Sequence, residues 1–114
     1  MHPHKKIGDR GEAQALNYLQ QHGLLLVQTN FFSRFGEIDL IMRDDNEFVF
    51  VEVKHRKAGV DSALESITPA KQRKLVKTAE YFLLKLGHDV NCRFDAVVLD
   101  DNNHIEWLKN IIIL

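Results

Sequence analysis

Apolar residues along the chain follow two periodicities, and the switches between them mark out helices and strands. Over residues 9–22, Ala15, Leu16 and Leu19 recur at helical spacing. Asp9 with Glu12 three residues later makes a capping signal, and Gly23 stands just past the end. Leu24 to Gln28 predicts a short strand. Residues 37–43 and 48–54 predict two more, joined by a two-residue turn at Asp45-Asn46. Thr68-Pro69 caps a second helix, in which apolar residues at 75, 76, 79, 82, 83 and 86 keep helical spacing up to Gly87. Arg93 to Leu99 and a run beginning at Ile105–Leu108 predict the last strands. The order αβββαββ implies one α/β domain, a mixed central sheet flanked by helices. Residues 1–7 are expected to be a loose terminus, and 56–67 a mobile loop between the third strand and the second helix.

The strand from Phe48 to Lys54 is apolar on both faces until its end, as a central strand of a sheet would be. A period of two puts Phe48, Phe50, Glu52 and Lys54 on one face and Val49, Val51 and Val53 on the other. Two charged residues thus extend a buried face, where charge is costly without compensation. Counting back from the turn, Asp44 faces Glu47 and Arg43 faces Phe48. Continued, the register sets Asp39 opposite Glu52 and Glu37 opposite Lys54. Like charges directly across strands destabilise. A divalent cation reverses the sign, and carboxylates with water are what Mg²⁺ and Mn²⁺ prefer. The carbonyl of Val53 offers a further oxygen. Two readings stay open here: a metal-binding pair, or a strand that ends at Asp39 with Glu52 and Lys54 solvated at an edge.

Charge changes this picture by its distribution. The chain of 114 residues has a net charge of −1, so it is not a uniformly basic binder of nucleic acid. Yet residues 54–77 hold seven Lys/Arg against Asp61 and Glu65. That is either an electrostatic footprint for a polyanion or a solvated helix face. Lys71, Arg73, Lys74 and Lys77 occupy the first half of the second helix, where positive charge opposes the macrodipole. Such a cost is easier to understand if an anion binds there. Arg56 and Lys57, just past Lys54, are further candidates for phosphate contact. Arg93 and Asp95 share a strand face and read as a structural ion pair. Trp107 and Ile111-Ile112-Ile113 read as core or an oligomer contact.

Other chemistries find little support. The single cysteine, Cys92, forms no internal disulfide, and the six histidines show no zinc-ligand spacing. There is no phosphate-cradling glycine loop. No apolar run approaches the roughly 20 residues of a membrane helix. With no secretory leader pattern, a reducing, cytoplasmic setting is expected.

Asp39, twelve intervening residues, then Glu52-Val53-Lys54 resembles the PD-(D/E)xK signature of restriction-endonuclease-like nucleases. Ile38 stands where the motif's name has proline, a residue that carries no chemistry. The similarity extends to the uncharacterised bacterial YraN-like family within that superfamily. It is carried by Gly11-Glu12, Asn30, Gly36-Glu37-Ile38-Asp39-Leu40-Ile41, Val51-Glu52-Val53-Lys54, Lys71 and Arg93-Phe94-Asp95.

The resemblance implies a restriction-endonuclease-like domain in which Asp39 and Glu52 hold Mg or Mn. Lys54 would orient the attacking water or stabilise developing charge, with Glu37 in support. Glu12 would either join the metal site or only complete a capping box with Asp9. Lys71 would sit near the site. The implied activity is metal-dependent cleavage of DNA phosphodiesters, structured or branched DNA included, with DNA favoured over RNA. The modest charge and small size favour a homodimer, or a larger partner, for substrate recognition. A non-catalytic nucleic-acid-binding module and a protein-interaction scaffold are the alternatives.

Overall fold

Five strands run through the molecule in the order in which they occur along the chain, β1-β2-β3-β4-β5. They are β1 (Leu25–Ser33), β2 (Gly36–Asp44), β3 (Glu47–His55), β4 (Asn91–Leu99) and β5 (Ile105–Leu108). The helices are α1 (Lys5–Gln21), α2 (Val60–Glu65) and α3 (Pro69–Leu86). This computed structural model describes residues 5–57, 60–87 and 90–112, and no side chains for 5–10, 60 and 61.

Neighbouring strands are antiparallel except β3 and β4, which are parallel. A parallel pair needs a crossover, and α2 with α3 supplies it. β3 is therefore central, as its apolar sequence predicts. Phe50 and Phe94 pack beneath Leu75, Ala79 and Phe82 of α3. Val49, Val51 and Val97 pack against Ala15 and Leu19 of α1. The alternation along β3 thus feeds two cores, one on each face of the sheet. Burying a side chain such as Phe50 stabilises the fold by about 2–3 kcal/mol.

The caps of α3 match the sequence. Thr68 accepts a hydrogen bond from the Lys71 N–H at 3.2 Å. Gly87 takes the left-handed conformation (φ 78°) that ends the helix.

Three boundaries differ from expectation. First, α1 starts at Lys5, so part of the expected loose terminus is helical and Asp9 lies inside the helix rather than at its cap. Second, β1 continues five residues past Gln28 to Ser33. Its polar stretch Gln28-Thr29-Asn30 is tolerated because β1 is a sheet edge with one neighbour. Third, the connection between β3 and α3 contains α2, anchored by buried Ala63 and Ile67. His2, His4, His88 and Ile113 lie outside the described residues or side chains.

Candidate functional site

The hairpin of β2 and β3 pairs as its turn dictates, with Asp44 opposite Glu47, Arg43 opposite Phe48 and Leu40 opposite Val51. There the backbone pairing stops. β2 stays with β1 as far as Gly36, and β3 stays with β4 as far as His55. The two strands part, and Asp39, Glu52, Val53 and Lys54 line the opening.

This corrects the extended register. Asp39 and Glu52 are not a cross-strand pair. Asp39 instead reaches across the gap, its Oδ2 accepting the Val53 N–H at 2.8 Å. In an antiparallel arrangement a residue's N–H and C=O face the same neighbour, so the Val53 carbonyl faces the same opening. Nor do Glu37 and Lys54 pair. Lys54 Nζ lies 3.2 Å from Glu52 Oε1, while Glu37 Oε2 accepts from Asn30 Nδ2 at 3.4 Å. The strict alternation of β2 fails locally. Leu40 packs on the α1 side, yet both Ile38 and Ile41 pack on the α3 side. The irregularity is shared with β1, where Asn30, between Thr29 and Phe31, adopts a left-handed φ of 49°.

The carboxylates therefore meet at the gap from two sides. Asp39 lines a cavity of about 470 Å³ with Gly11 and Glu12 of α1, Val53, His55 and the Asp100–Asp101 loop. Glu12 turns toward the sheet, its Oε1 accepting from Asn30 Nδ2 at 2.9 Å, and the helix beginning at Lys5 rules out the capping box with Asp9. On the other side, Glu52 meets two lysines, Lys54 and, at 3.9 Å, Lys71 of α3. Lys54 is only 8% exposed, an expensive position for an ammonium without an anion beside it.

Burial, followed by the charges of Glu52, Glu12 and Glu37, pushes the Asp39 carboxyl up to about 8, against the pull of the Val53 N–H. The Lys71 ammonium is held below the usual lysine range, first by Lys54 beside it and then by burial. The site thus crowds Asp39 and Glu12 on the α1 side of the gap and sets Glu52 with two ammonium groups on the α3 side.

Would these residues hold a divalent metal? Among the described residues no three His, Cys, Asp or Glu side chains gather closely enough to do so by themselves. The donors present are two carboxylates, Asp39 and Glu52, with the Val53 carbonyl. Mg²⁺ keeps several waters and binds through one or two carboxylates, so the set fits it and not zinc. A carboxyl that ionises only at high pH is also one whose charge a cation would stabilise.

The remaining basic candidates divide. Arg56 is tied down locally, its N–H to the Leu99 carbonyl at 2.9 Å and its Nη1 to the His55 carbonyl at 2.8 Å. Lys57 points to Asp101 at 4.0 Å. Arg73 and Lys74 are exposed on α3. Arg93 and Asp95 are structural. Fully buried Asp95 accepts from Arg93 Nε at 3.1 Å, Trp107 Nε1 at 2.9 Å and the Asn110 N–H at 3.0 Å. Arg93 also holds Asp44 and Glu47 beside the hairpin turn. Asn30 joins the site as the donor shared by Glu12 and Glu37. Its signal in the sequence is a poor strand former in a stretch that proves to be a strand.

The model of the Uncharacterised protein family UPF0102 matches residues 11–99. A UPF0102 protein of Nitrosomonas eutropha is 47% identical over 107 residues, covering 93% of this chain and 92% of its own. One from Dichelobacter nodosus is 49% identical over 113 residues, covering 95% and 90%. A third, from Alkalilimnicola ehrlichii, is 48% identical over 111 residues, covering 95% and 87%. The chain belongs to this family.

Proposed function

We propose that this UPF0102 protein is a metal-dependent nuclease that cleaves DNA phosphodiester bonds at the opening between β2 and β3. The reading is carried by one juxtaposition. A half-buried carboxyl, Asp39, crowded by Glu52 and Glu12, and a buried lysine, Lys54, paired with that same Glu52, flank the place where two strands part. The resemblance of Asp39…Glu52-Val53-Lys54 to the PD-(D/E)xK signature supports it.

Asp39, Glu52 and the Val53 carbonyl would hold Mg²⁺ or Mn²⁺. When bound, the cation supplies Lewis-acid polarisation of the phosphate and neutralises its charge. The chain's own groups do the rest. Lys54 Nζ, fixed by Glu52, is positioned to donate to a phosphate oxygen as negative charge grows there. Lys71 adds a second positive charge. With its pKa lowered, it gives up a proton to a leaving oxygen more readily than an ordinary lysine does. Glu12, held by Asn30, keeps a further acceptor at the α1 side of the opening.

A second reading has its own observation. Lys54 and Lys71 already neutralise Glu52, so the same cluster serves a non-catalytic nucleic-acid-binding module without a metal. Cleavage of branched, single-stranded and duplex DNA with Mg²⁺ or Mn²⁺ separates the two. The nuclease reading expects cleavage by wild type that Asp39→Ala and Glu52→Ala each abolish. Activity surviving both substitutions refutes it. Salt-sensitive binding in EDTA with no cleavage in either metal favours the binding module.

A further inference from the structure

A second basic cluster lies away from the carboxylates, at the turn between β1 and β2. Phe32, Ser33, Arg34 and Phe35 of that turn, with Tyr81 and Lys85 of α3, enclose a cavity of about 420 Å³. Among the described residues no carboxylate lines it. Its aromatic rings are accessible: Phe32 is 48% exposed and Tyr81 39%. Phe35 and Tyr81 each have a cation close by. Arg34 lies 5.0 Å and Lys77 Nζ 5.6 Å from the Phe35 centroid, and Lys85 Nζ lies 4.8 Å from that of Tyr81.

The turn is braced against α3 rather than left as a free tip. Ser33 Oγ donates to Thr78 Oγ1 at 3.3 Å and accepts the Phe35 N–H at 3.0 Å. Thr78 Oγ1 donates in turn to the Lys74 carbonyl at 2.8 Å. Gly36 closes the turn at a φ of 153° that side chains rarely adopt.

α3 links this cavity to the carboxylate site. Lys71, Lys74, Lys77, Tyr81 and Lys85 recur every three or four residues, so they fall on one face of the helix. The first lies beside Glu52 and the last lines the aromatic cavity. Among the described residues, Arg34, Lys74, Lys77 and Lys85 form no ion pair with a carboxylate. The fourteen steps of helix from Lys71 to Lys85 rise about 21 Å, room for several nucleotides of a single strand.

Solvent-exposed rings, interleaved along a track with cations that no carboxylate pairs among the described residues, match the chemistry of a single strand. Unstacked bases lie on the rings and phosphates on the cations. A duplex keeps its bases stacked inside and offers the rings nothing. We propose that the cavity of Phe32, Phe35 and Tyr81 is a stacking site for an unpaired base. Lys74, Lys77 and Lys85 then guide the single-stranded segment that leads to the carboxylate site. This deepens the nuclease reading by naming its substrate as DNA with an unpaired segment next to the scissile bond. The binding part stands without cleavage.

The test is fluorescence anisotropy of a labelled twelve-nucleotide thymidine strand in EDTA, where no cleavage intervenes. The same strand as a duplex, and a uridine strand of equal length, serve as comparisons. Wild type is expected to bind the thymidine strand at least fivefold more tightly than the duplex. Tyr81→Ala is expected to weaken single-strand binding about tenfold and to change duplex binding less than about twofold. Lys77→Gln and Lys85→Gln, surface changes that spare the rings, are each expected to lower the slope of log affinity against log salt by about 0.7.

Equal wild-type affinity for strand and duplex overturns the proposal. So does unchanged single-strand binding by a folded Tyr81→Ala, or by Lys77→Gln and Lys85→Gln together. Equal binding of the uridine strand upholds the stacking site and removes its restriction to DNA. Normal binding with no cleavage in Mg²⁺ or Mn²⁺ refutes the nuclease reading alone.

Discussion

Replacing Asp39 by Asn should make the metal-free protein more stable at neutral and alkaline pH while destroying its response to divalent metal. Asn keeps an oxygen for the Val53 N–H, the contact Asp39 makes at 2.8 Å. It removes the charge that burial and Glu52, Glu12 and Glu37 oppose. The Asp39 carboxyl stands at about 8 in the folded chain against an ordinary value of 3.8, so the folded state binds this proton more tightly than the unfolded state. Stability from this group is therefore fully present below pH 4 and is lost as pH rises toward 8. At about 1.4 kcal/mol per pKa unit, the loss reaches about 4 kcal/mol at pH 7 as an upper figure. The cavity opens to solvent, and screening brings the expected gain for Asp39→Asn to about 2–4 kcal/mol. That is about 8–16 °C in Tm for a domain of this size. Thermal melts by circular dichroism in EDTA, from pH 4 to pH 9, should show the two proteins together at the acid end and diverging as pH rises. A tenfold excess of Mg²⁺ or Mn²⁺ over its Kd should then stabilise wild type by about 1.4 kcal/mol and leave Asp39→Asn unmoved. Parallel pH curves would refute the crowding of Asp39. An equal metal response in both proteins would refute its role as a ligand.

Three other substitutions probe different parts of the structure. Lys54→Met should lower cleavage by at least about a hundredfold yet keep the metal-induced rise in Tm, because it spares both carboxylates; loss of that rise would make Lys54 a structural partner of Glu52 alone. Asn30→Ala should cost about 1–3 kcal/mol, from lost hydrogen bonds to Glu12 and Glu37 and from a left-handed backbone that Ala resists. Asn30→Gly should recover the backbone share only, and equal denaturant midpoints for the two would remove the strain argument. Arg93→Met should cost about 3–5 kcal/mol by leaving Asp95 buried without its cation, while activity per folded molecule at low temperature stays at the wild-type level. A selective loss of activity would give Arg93 a part in the chemistry.

Most of the fold is legible in the sequence because its rules are local. Thr68, Pro69 and Gly87 fix α3 through caps that need nothing distant. The alternation of Phe48 to Val53 assigns both faces of β3 before either helix is placed. Lower legibility follows from non-local causes. β1 reads as ending near Gln28 because its polar middle is a poor strand sequence, and only its place at the sheet edge explains why it continues. α2 is held by burial of its Ala63 and of Ile67 just past its end, the latter in the core under α3, which six residues of sequence do not reveal.

At the candidate site the register counted from the turn misjudged the arrangement of the residues, for one physical reason. A register counted from the turn holds as long as the two strands stay paired, and β2 and β3 do so only to Leu40 and Val51. Beyond that point each follows its outer neighbour. On the other side of β2, Asn30 in β1 has a left-handed backbone at the same level. The consequence for chemistry is direct. Had the pairing continued, Asp39 and Glu52 would stand side by side on one flat face, open to α3 alone. Because it stops, Asp39 reaches into the gap from the α1 side and Glu52 meets Lys54 and Lys71 on the α3 side. The opening between them is where a cation could lie against carboxylates from both strands and a phosphate against the lysines. The regular pattern breaks at the residues on which the proposed activity depends, as expected where a functional site is built at the expense of local regularity.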